Sequence, residues 1–416
     1  MINSTKYLIV GNGAAGHFAA QEIRKNDKDG KLTIISKEPT RTYIRTLLAK
    51  CILEPLPDEK LFLAKKEWYE KNNIKQILDK EIVSIDEKTK TVLLDSDETI
   101  SFEKLIIASG SYNFIPPLVC DGIQGSKKID SFNYNKIKGL HTIRKLEDTR
   151  VLASDIKSSK KAVVVGGGLL GLEAAGELLK LGLNVTVVEF FDRLLPRQLD
   201  RESSEILKNI AEKSGINLIL NDSATDIITK EDSSGNEIVD KVKLNSNEEI
   251  SADIVVFSIG IRPNTSLIEK TNIKKDKGII VDKYMQTSSK DIYACGDVAE
   301  INGFIYGTWP AAMTMGRVAG SNASDESLEF QNLVLQTTFD SLNAKIFSAG
   351  NIDFEDSSLD FYSSGNKDKG ISKKLFFKDN RLIAGILIGD TTKSTRVVKG
   401  IENGISKAEM LENDIL

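Results

Sequence analysis

Residues 6–25, KYLIVGNGAAGHFAAQEIRK, decide the fold. A short apolar run, Tyr7 to Val10, leads into Gly11-Asn12-Gly13-Ala14-Ala15-Gly16, and an Ala-rich helical pattern follows. That order is strand, glycine turn, helix, the opening of a βαβ unit. The next strand, Lys31 to Ser36, ends near Glu38. The same order recurs at residues 161–182, KAVVVGGGLLGLEAAGELLKLG, where Gly182 is placed to stop the helix. The strand from Asn184 to Val188 then ends in Glu189. A G-x-G-x-x-G turn sets backbone N–H groups and a helix N-terminus around a pyrophosphate, and its glycines allow the close approach. Two such units predict two dinucleotide sites, at Gly11, Gly13, Ala14, Ala15 and Gly16, and at Gly166, Gly168, Leu169, Leu170 and Gly171.

The acids refine the reading. Glu189 lies at the end of the second strand, where a carboxylate accepts from the adenosine ribose hydroxyls and repels a 2′-phosphate. Phe190 and Phe191 add no cationic clamp, although Arg193 is close. The expectation is NADH over NADPH. Glu38 is the corresponding acid of the first unit.

Length and composition bound the rest. At 416 residues the chain has room for about three domains. A formal charge of −4 argues against a general nucleic-acid binder. No apolar run approaches the ~18 residues that span a bilayer. No secretory leader is apparent, and the cytoplasm is the expected location. Cys51, Cys120 and Cys295 are far apart, without a CxxC, so neither a disulfide framework nor a dithiol centre is expected. Two His exclude a His-rich metal site, and no metal is expected.

Antiparallel signals lie between and after the two units. Ile82 to Asp86 and Thr91 to Asp95 flank a polar turn, Thr99 to Phe102 reads as a further short strand, and Leu105 to Gly110 as a buried one. Lys230 to Asn247 reads as a hairpin with a loop at Ser233–Asn236. Ser321 to Ser327 reads as a polar linker, followed by strands at Leu375–Lys378 and Leu382–Ile388 and a helix near Thr395–Ile405.

A third block, Thr287 to Asp297, has the form T-x(4)-I-Y-A-x-G-D, and an Asp after a strand-ending Gly grips a polyol hydroxyl. Together with the glycine motifs, Ala108-Ser109-Gly110 and Gly260-Ile261-Arg262-Pro263, it resembles the two-dinucleotide flavoprotein reductases of the pyridine-nucleotide oxidoreductase superfamily. The resemblance covers about residues 5–320. It implies an α/β protein with two Rossmann-like domains of the glutathione-reductase type and a small α+β C-terminal domain. It also implies FAD on the first unit, with Gly296 and Asp297 at the ribitol, and NAD(P)H on the second. The expected division is 1–118 with 250–325 for FAD, 119–249 for NAD, and 326–416 for the C-terminal cap.

The branch follows from what is missing. The CxxxxC of disulfide reductases is absent, since no Cys precedes Cys51. Tyr43-Ile44-Arg45-Thr46-Leu47-Leu48-Ala49-Lys50 is similar to the YxRxxLSK stretch of rubredoxin and ferredoxin reductases and of the reductase part of nitrite reductases. Thr46 and Ala49 depart from it, at positions where Pro and Ser are usual. The resemblance places Arg45, Lys50, Val83 and Arg144 on FAD, pairs Lys50 with Glu173 as the catalytic pair beside the flavin, and points the helix starting at Trp309-Pro310 at the flavin's pyrimidine edge. It implies electron transfer from NADH through flavin to a small rubredoxin- or ferredoxin-type carrier, by a monomer or homodimer. The alternatives are an NADH oxidase or peroxidase using Cys51, a reductase component serving a nitrite reductase partner, and a redox signalling protein.

Overall fold

The computed structural model describes residues 3–122, 125–354, 356–366 and 370–412. The chain divides into two units. One takes Met1–Leu47, Leu56–Tyr112 and Ile261–Leu333; the other takes Leu48–Pro55, Asn113–Gly260 and Val334–Leu416.

In the first unit the apolar run before the glycine turn becomes the strand Asn3–Val10. It pairs in parallel with Leu32–Ser36 on one side and Thr99–Ile107 on the other, and Leu8 and Ile9 are buried on both faces. Such two-sided burial is what a near-continuous apolar run requires. Ile74–Leu78 and Ile292–Ala294 extend the parallel sheet, while Ile82–Asp86 and Thr91–Leu94 form an antiparallel meander at its edge. Thr99 to Phe102 and Leu105 onward are one strand, Thr99–Ile107, not two. Its first residues pair with the meander, and its whole length pairs with Asn3–Val10, so a break would cost both ladders.

The helix Ala14–Asn26 follows the first glycine turn and lies against the helix Trp309–Ala323. Two glycines set that contact. A Cβ on Gly316 would stand 2.3 Å from the Ala15 carbonyl oxygen, and one on Gly320 2.4 Å from that of Ala19. The expected linker at Ser321–Ser327 starts inside this helix, and the unit continues to Leu333. The reason is Phe330, which is buried in the first core and whose N–H donates to the Lys283 carbonyl at 2.7 Å.

The second unit repeats the first motif. Its parallel sheet runs Leu140–Thr142, Ile254–Phe257, Lys161–Val165, Asn184–Glu189, Asn217–Leu220. The expected hairpin is present as Ala224–Glu231 and Glu237–Leu244. Leu118–Gly122 pairs with it, so the chain joins the second unit from Asn113 and stays to Gly260, beyond the expected 119–249 at both ends. Cys120 lies buried in that strand, and burial pushes its thiol up to about 11.

Residues from Val334 form an antiparallel five-stranded sheet in the order Gln336–Ser341, Ala344–Ala349, Arg381–Ile388, Ile371–Lys378, Asp360–Asn366. The helices Ser394–Asn403 and Lys407–Glu412 cover it through Val397 and Met410. This α+β domain is fastened to the parallel-sheet part of its unit. The buried ammonium of Lys374 pairs with Asp200, which also caps the helix Arg201–Lys213 by accepting from the Ser203 N–H.

Alanine normally stabilises a helix by about 0.8–1.0 kcal/mol over glycine. At Gly316 the added methyl meets rigid backbone, and overpacking of that kind costs about 1–3 kcal/mol. Gly316→Ala is therefore expected to lower the thermal midpoint; a raised midpoint would contradict the helix contact.

Candidate functional site

Each glycine turn is built from the same close contacts. In the first, the Gly11 N–H donates to the Ile35 carbonyl (2.8 Å) and the Ala108 N–H to the Val10 carbonyl (2.8 Å). In the second, the Gly166 N–H donates to Val188 and the Ser258 N–H to Val165, both at 2.8 Å. Gly11 has φ +103° and Gly166 φ +114°, a region that side chains other than glycine rarely adopt. A Cβ on Gly11 would lie 2.2 Å from the Ala108 carbonyl oxygen, and one on Gly166 2.3 Å from that of Ser258. Cβ atoms on Gly16 and Gly171 would lie 2.1 Å from the Gly11 and Gly166 oxygens. These four glycines pull each helix down onto its strand.

Gly13 and Gly168 differ. A Cβ on either would meet no protein atom within 4 Å. Each is the N-cap of its helix, and neither helix has a side-chain cap. The first N–H groups of Ala14–Asn26 and Leu169–Lys180, which begin with Ala14, Ala15 and with Leu169, Leu170, thus have no side-chain cap beside that open space, with the positive end of the helix dipole behind them. Open space at the middle glycine and uncapped N–H groups are what a pyrophosphate would fill. The residues present fit two dinucleotides.

Around the first turn, Gly296 and Asp297 sit against the helix start, since a Cβ on Gly296 would lie 2.8 Å from that of Ala15. Asp297 accepts from the Ser111 hydroxyl at 2.8 Å. Ser109 donates to the Asn264 carbonyl and the Asn264 N–H to Gly110, both at 2.9 Å, so the Ala108–Gly110 turn is held beside the loop. Glu38 is engaged: Tyr43 donates to it at 2.6 Å and Arg45 forms an ion pair with it. The helix Trp309–Ala323 has Pro310 in its first turn and no side-chain cap from Thr308. Val83 is the extra residue of a bulge between Ile82 and Ser84 at the meander, with an exposed side chain. Arg144 lies in the second unit, where its N–H donates to Asp148 at 2.8 Å. Gly260 closes that unit's segment, and its carbonyl accepts from Phe114.

A buried network beside the first loop went unread in the sequence. Thr42 donates to Asn12 (2.6 Å), Tyr69 donates to Thr42 (3.1 Å), and His17 Nδ1 lies 3.1 Å from the Tyr69 hydroxyl. It turns the Asn12 side chain into the protein. Burial lowers the His17 imidazole to about 4, so it is neutral at physiological pH. Apart from Asn12, no position in it carries a motif signal.

In the second unit, Glu189 ends its strand and is buried. Its Oε2 accepts from the Gly167 N–H (2.6 Å) and its Oε1 from the Phe191 N–H (2.9 Å). The acid thus ties the glycine loop to the strand end and retains lone pairs for a ribose. Lys50 and Glu173 also fall in this unit, where the short helix Lys50–Leu53 packs on Leu169–Lys180. No ion pair within 4.0 Å joins the two among the described residues. Burial raises the Glu173 carboxyl to about 7, against the opposing pull of the Lys50 charge. Cys51 is buried at 6% exposure on that helix. Cys295 is fully buried, and burial pushes its thiol to about 12. Among the described residues there is no metal-ligating cluster, and no helix is long and apolar enough to cross a membrane.

Comparison with known proteins adds to this geometry. The family model for pyridine nucleotide-disulphide oxidoreductases matches residues 5–316, and that for the rubredoxin NAD+ reductase C-terminal domain matches residues 336–405. The NADH-rubredoxin oxidoreductase of Clostridium acetobutylicum is 33% identical over 410 residues, covering 97% of this chain and 96% of that protein. Its crystal structure superposes with a TM-score of 0.78 at 30% identity, covering 99% of this chain and 100% of that one. Nitrite reductase [NAD(P)H] of Bacillus subtilis is 33% identical over 411 residues, 98% of this chain; the chain spans about half of that relative's length, 48%.

Two outcomes test the site. Gly168→Ala adds a methyl that touches only the open space, so the thermal midpoint should stay while NADH affinity falls by about tenfold or more; unchanged affinity would contradict the cradle. For Glu173, a carboxyl raised from 4.5 to about 7 on folding binds more protons in the native state across that window, so its contribution to stability falls as pH rises through it. Glu173→Gln stays neutral. Its midpoint should rise relative to the parent protein between pH 5 and pH 8, and a gap that does not change with pH would contradict the burial.

Proposed function

The chain belongs to the pyridine nucleotide-disulphide oxidoreductase family, and on that premise we propose that it is an FAD-dependent NADH oxidoreductase delivering electrons to a small carrier protein of the rubredoxin or ferredoxin type. The observation that carries this reading is the pair of complete glycine cradles, each with an open middle glycine and its own acid. The first holds FAD through Gly11, Gly13, Ala14, Ala15, Gly16, Glu38, Ala108, Ser109, Gly110, Gly296 and Asp297; the second holds NADH through Gly166, Gly168, Leu169, Leu170, Gly171 and Glu189. Bound FAD supplies the exchange between two-electron and one-electron chemistry that an iron carrier needs.

The chain's own residues orient and hold protons. Asp297, kept in place by Ser111, would accept from the ribitol. The helix starting at Trp309, without a side-chain cap, would offer its positive end to the flavin. Glu173, poised near neutrality, holds or yields a proton at its carboxylate while Lys50 supplies positive charge nearby. Glu189 selects NADH, because a 2′-phosphate would meet a buried carboxylate. Of the cations that follow, Arg193 and Arg201 both pair with Asp192.

The match to half of a nitrite reductase supports a second reading, a reductase component working with a nitrite-reducing partner. Acceptor turnover separates the readings. NADH should reduce the protein faster than NADPH, and rubredoxin should reoxidise it faster than oxygen or peroxide. Cys51→Ser should keep rubredoxin turnover within about twofold, as expected for a buried thiol outside the chemistry. Peroxide turnover that this substitution abolishes would establish the peroxidase alternative instead. Failure with every carrier tested would favour the partner-bound reading. Glu189→Ala should lower the NADH-to-NADPH ratio of kcat/KM by about tenfold.

A further inference from the structure

We propose that Phe190, braced by Phe191, is the stacking platform for the adenine of the dinucleotide held on the second glycine unit. The inference rests on the reading of that unit as the NADH site and extends it to a subsite. Phe190 is 69% exposed and Phe191 49% exposed, two large apolar side chains in succession. Water-facing aromatics placed side by side form a patch, not isolated surface residues, and such a patch beside a ligand site marks a contact. Their rings meet edge to face, with centroids 5.4 Å apart and planes at 82°. The exposure of Phe190 leaves it a face for a partner.

Their position is fixed from both sides. Glu189 Oε1 accepts from the Phe191 N–H, and the Phe191 carbonyl accepts from the Asn221 N–H at 3.0 Å. Glu189 Oε2 reaches back to the glycine loop at Gly167. The backbone that carries the two rings is thus tied directly to the loop that takes the pyrophosphate and to the acid that takes the ribose. The adenine is joined to that same ribose, so it must lie within a few ångströms of Glu189 and its neighbours. A flat, apolar, hydrogen-bond-indifferent face is what a purine stacks on, and two of the nearby cations, Arg193 and Arg201, are already paired with Asp192.

The test titrates the holoprotein with ADP-ribose by calorimetry and measures turnover with NADH and with reduced nicotinamide mononucleotide, which lacks adenine. Phe190→Ala should weaken ADP-ribose by on the order of tenfold, the loss typical of removing one aromatic stack. The ratio of kcat/KM for NADH over the mononucleotide should fall by a similar factor. Phe190→Trp should keep the affinity, while Phe190→Leu, apolar but without a π-face, should not. ADP-ribose affinity within about twofold of the parent in Phe190→Ala, or equal losses for NADH and the mononucleotide, would overturn the platform and leave the NADH site standing. A parent protein that binds no ADP-ribose would overturn both.

Discussion

The architecture depends on backbone packed against backbone where a side chain would not fit. Gly11 faces the Ala108 carbonyl and Gly16 the Gly11 carbonyl; Gly166 and Gly171 repeat the pair against Ser258 and Gly166. Each helix is thereby drawn onto its strand with its first N–H groups left without a side-chain cap. A side chain at any of these positions would push the helix away and with it the anion-binding end. The same device holds Trp309–Ala323 against Ala14–Asn26 through Gly316 and Gly320. Site and scaffold are therefore not separable here. The open slots exist because their neighbours are closed.

Charge is placed with the same economy. Two acids at strand ends are already occupied on the protein side, Glu38 by Tyr43 and Arg45, Glu189 by the N–H groups of Gly167 and Phe191. That fixes their orientation before any ligand arrives, which lowers the ordering cost of binding. Glu173 is the opposite case. It sits half-buried, with no ion pair within 4.0 Å among the described residues, and its carboxyl is lifted to about 7. Desolvation of this kind opposes stability, and it is the sort of perturbation found where a proton must be held or released near neutral pH.

Much of this was legible in the residues. The two glycine turns, the acids after them and the Gly296-Asp297 turn follow from local spacing, because each is a short backbone device with few sequence solutions. The hairpin at Ala224–Leu244 followed from its alternation and polar turn. Long-range features did not. Nothing local says that Thr99–Ile107 is one strand serving two ladders, or that Phe330 carries the first unit past the polar stretch at Ser321. The His17–Tyr69–Thr42–Asn12 network joins residues far apart in the chain, and its members are common in ordinary cores. Gly316 and Gly320 did offer a signal, two glycines one helical turn apart facing Ala15 and Ala19. The pairing of Lys50 with Glu173 came from the family resemblance, and the structure shows proximity through space without a direct bridge.

The central claim is that one chain carries two separate dinucleotide cradles. The most direct measurement counts what it holds: flavin content from absorbance, and NAD+ stoichiometry by calorimetry on the same sample. The account predicts one FAD and one NAD+ per chain, bound together, with the flavin retained as NAD+ saturates. Release of flavin on adding NAD+, or a total of one dinucleotide per chain, would contradict it.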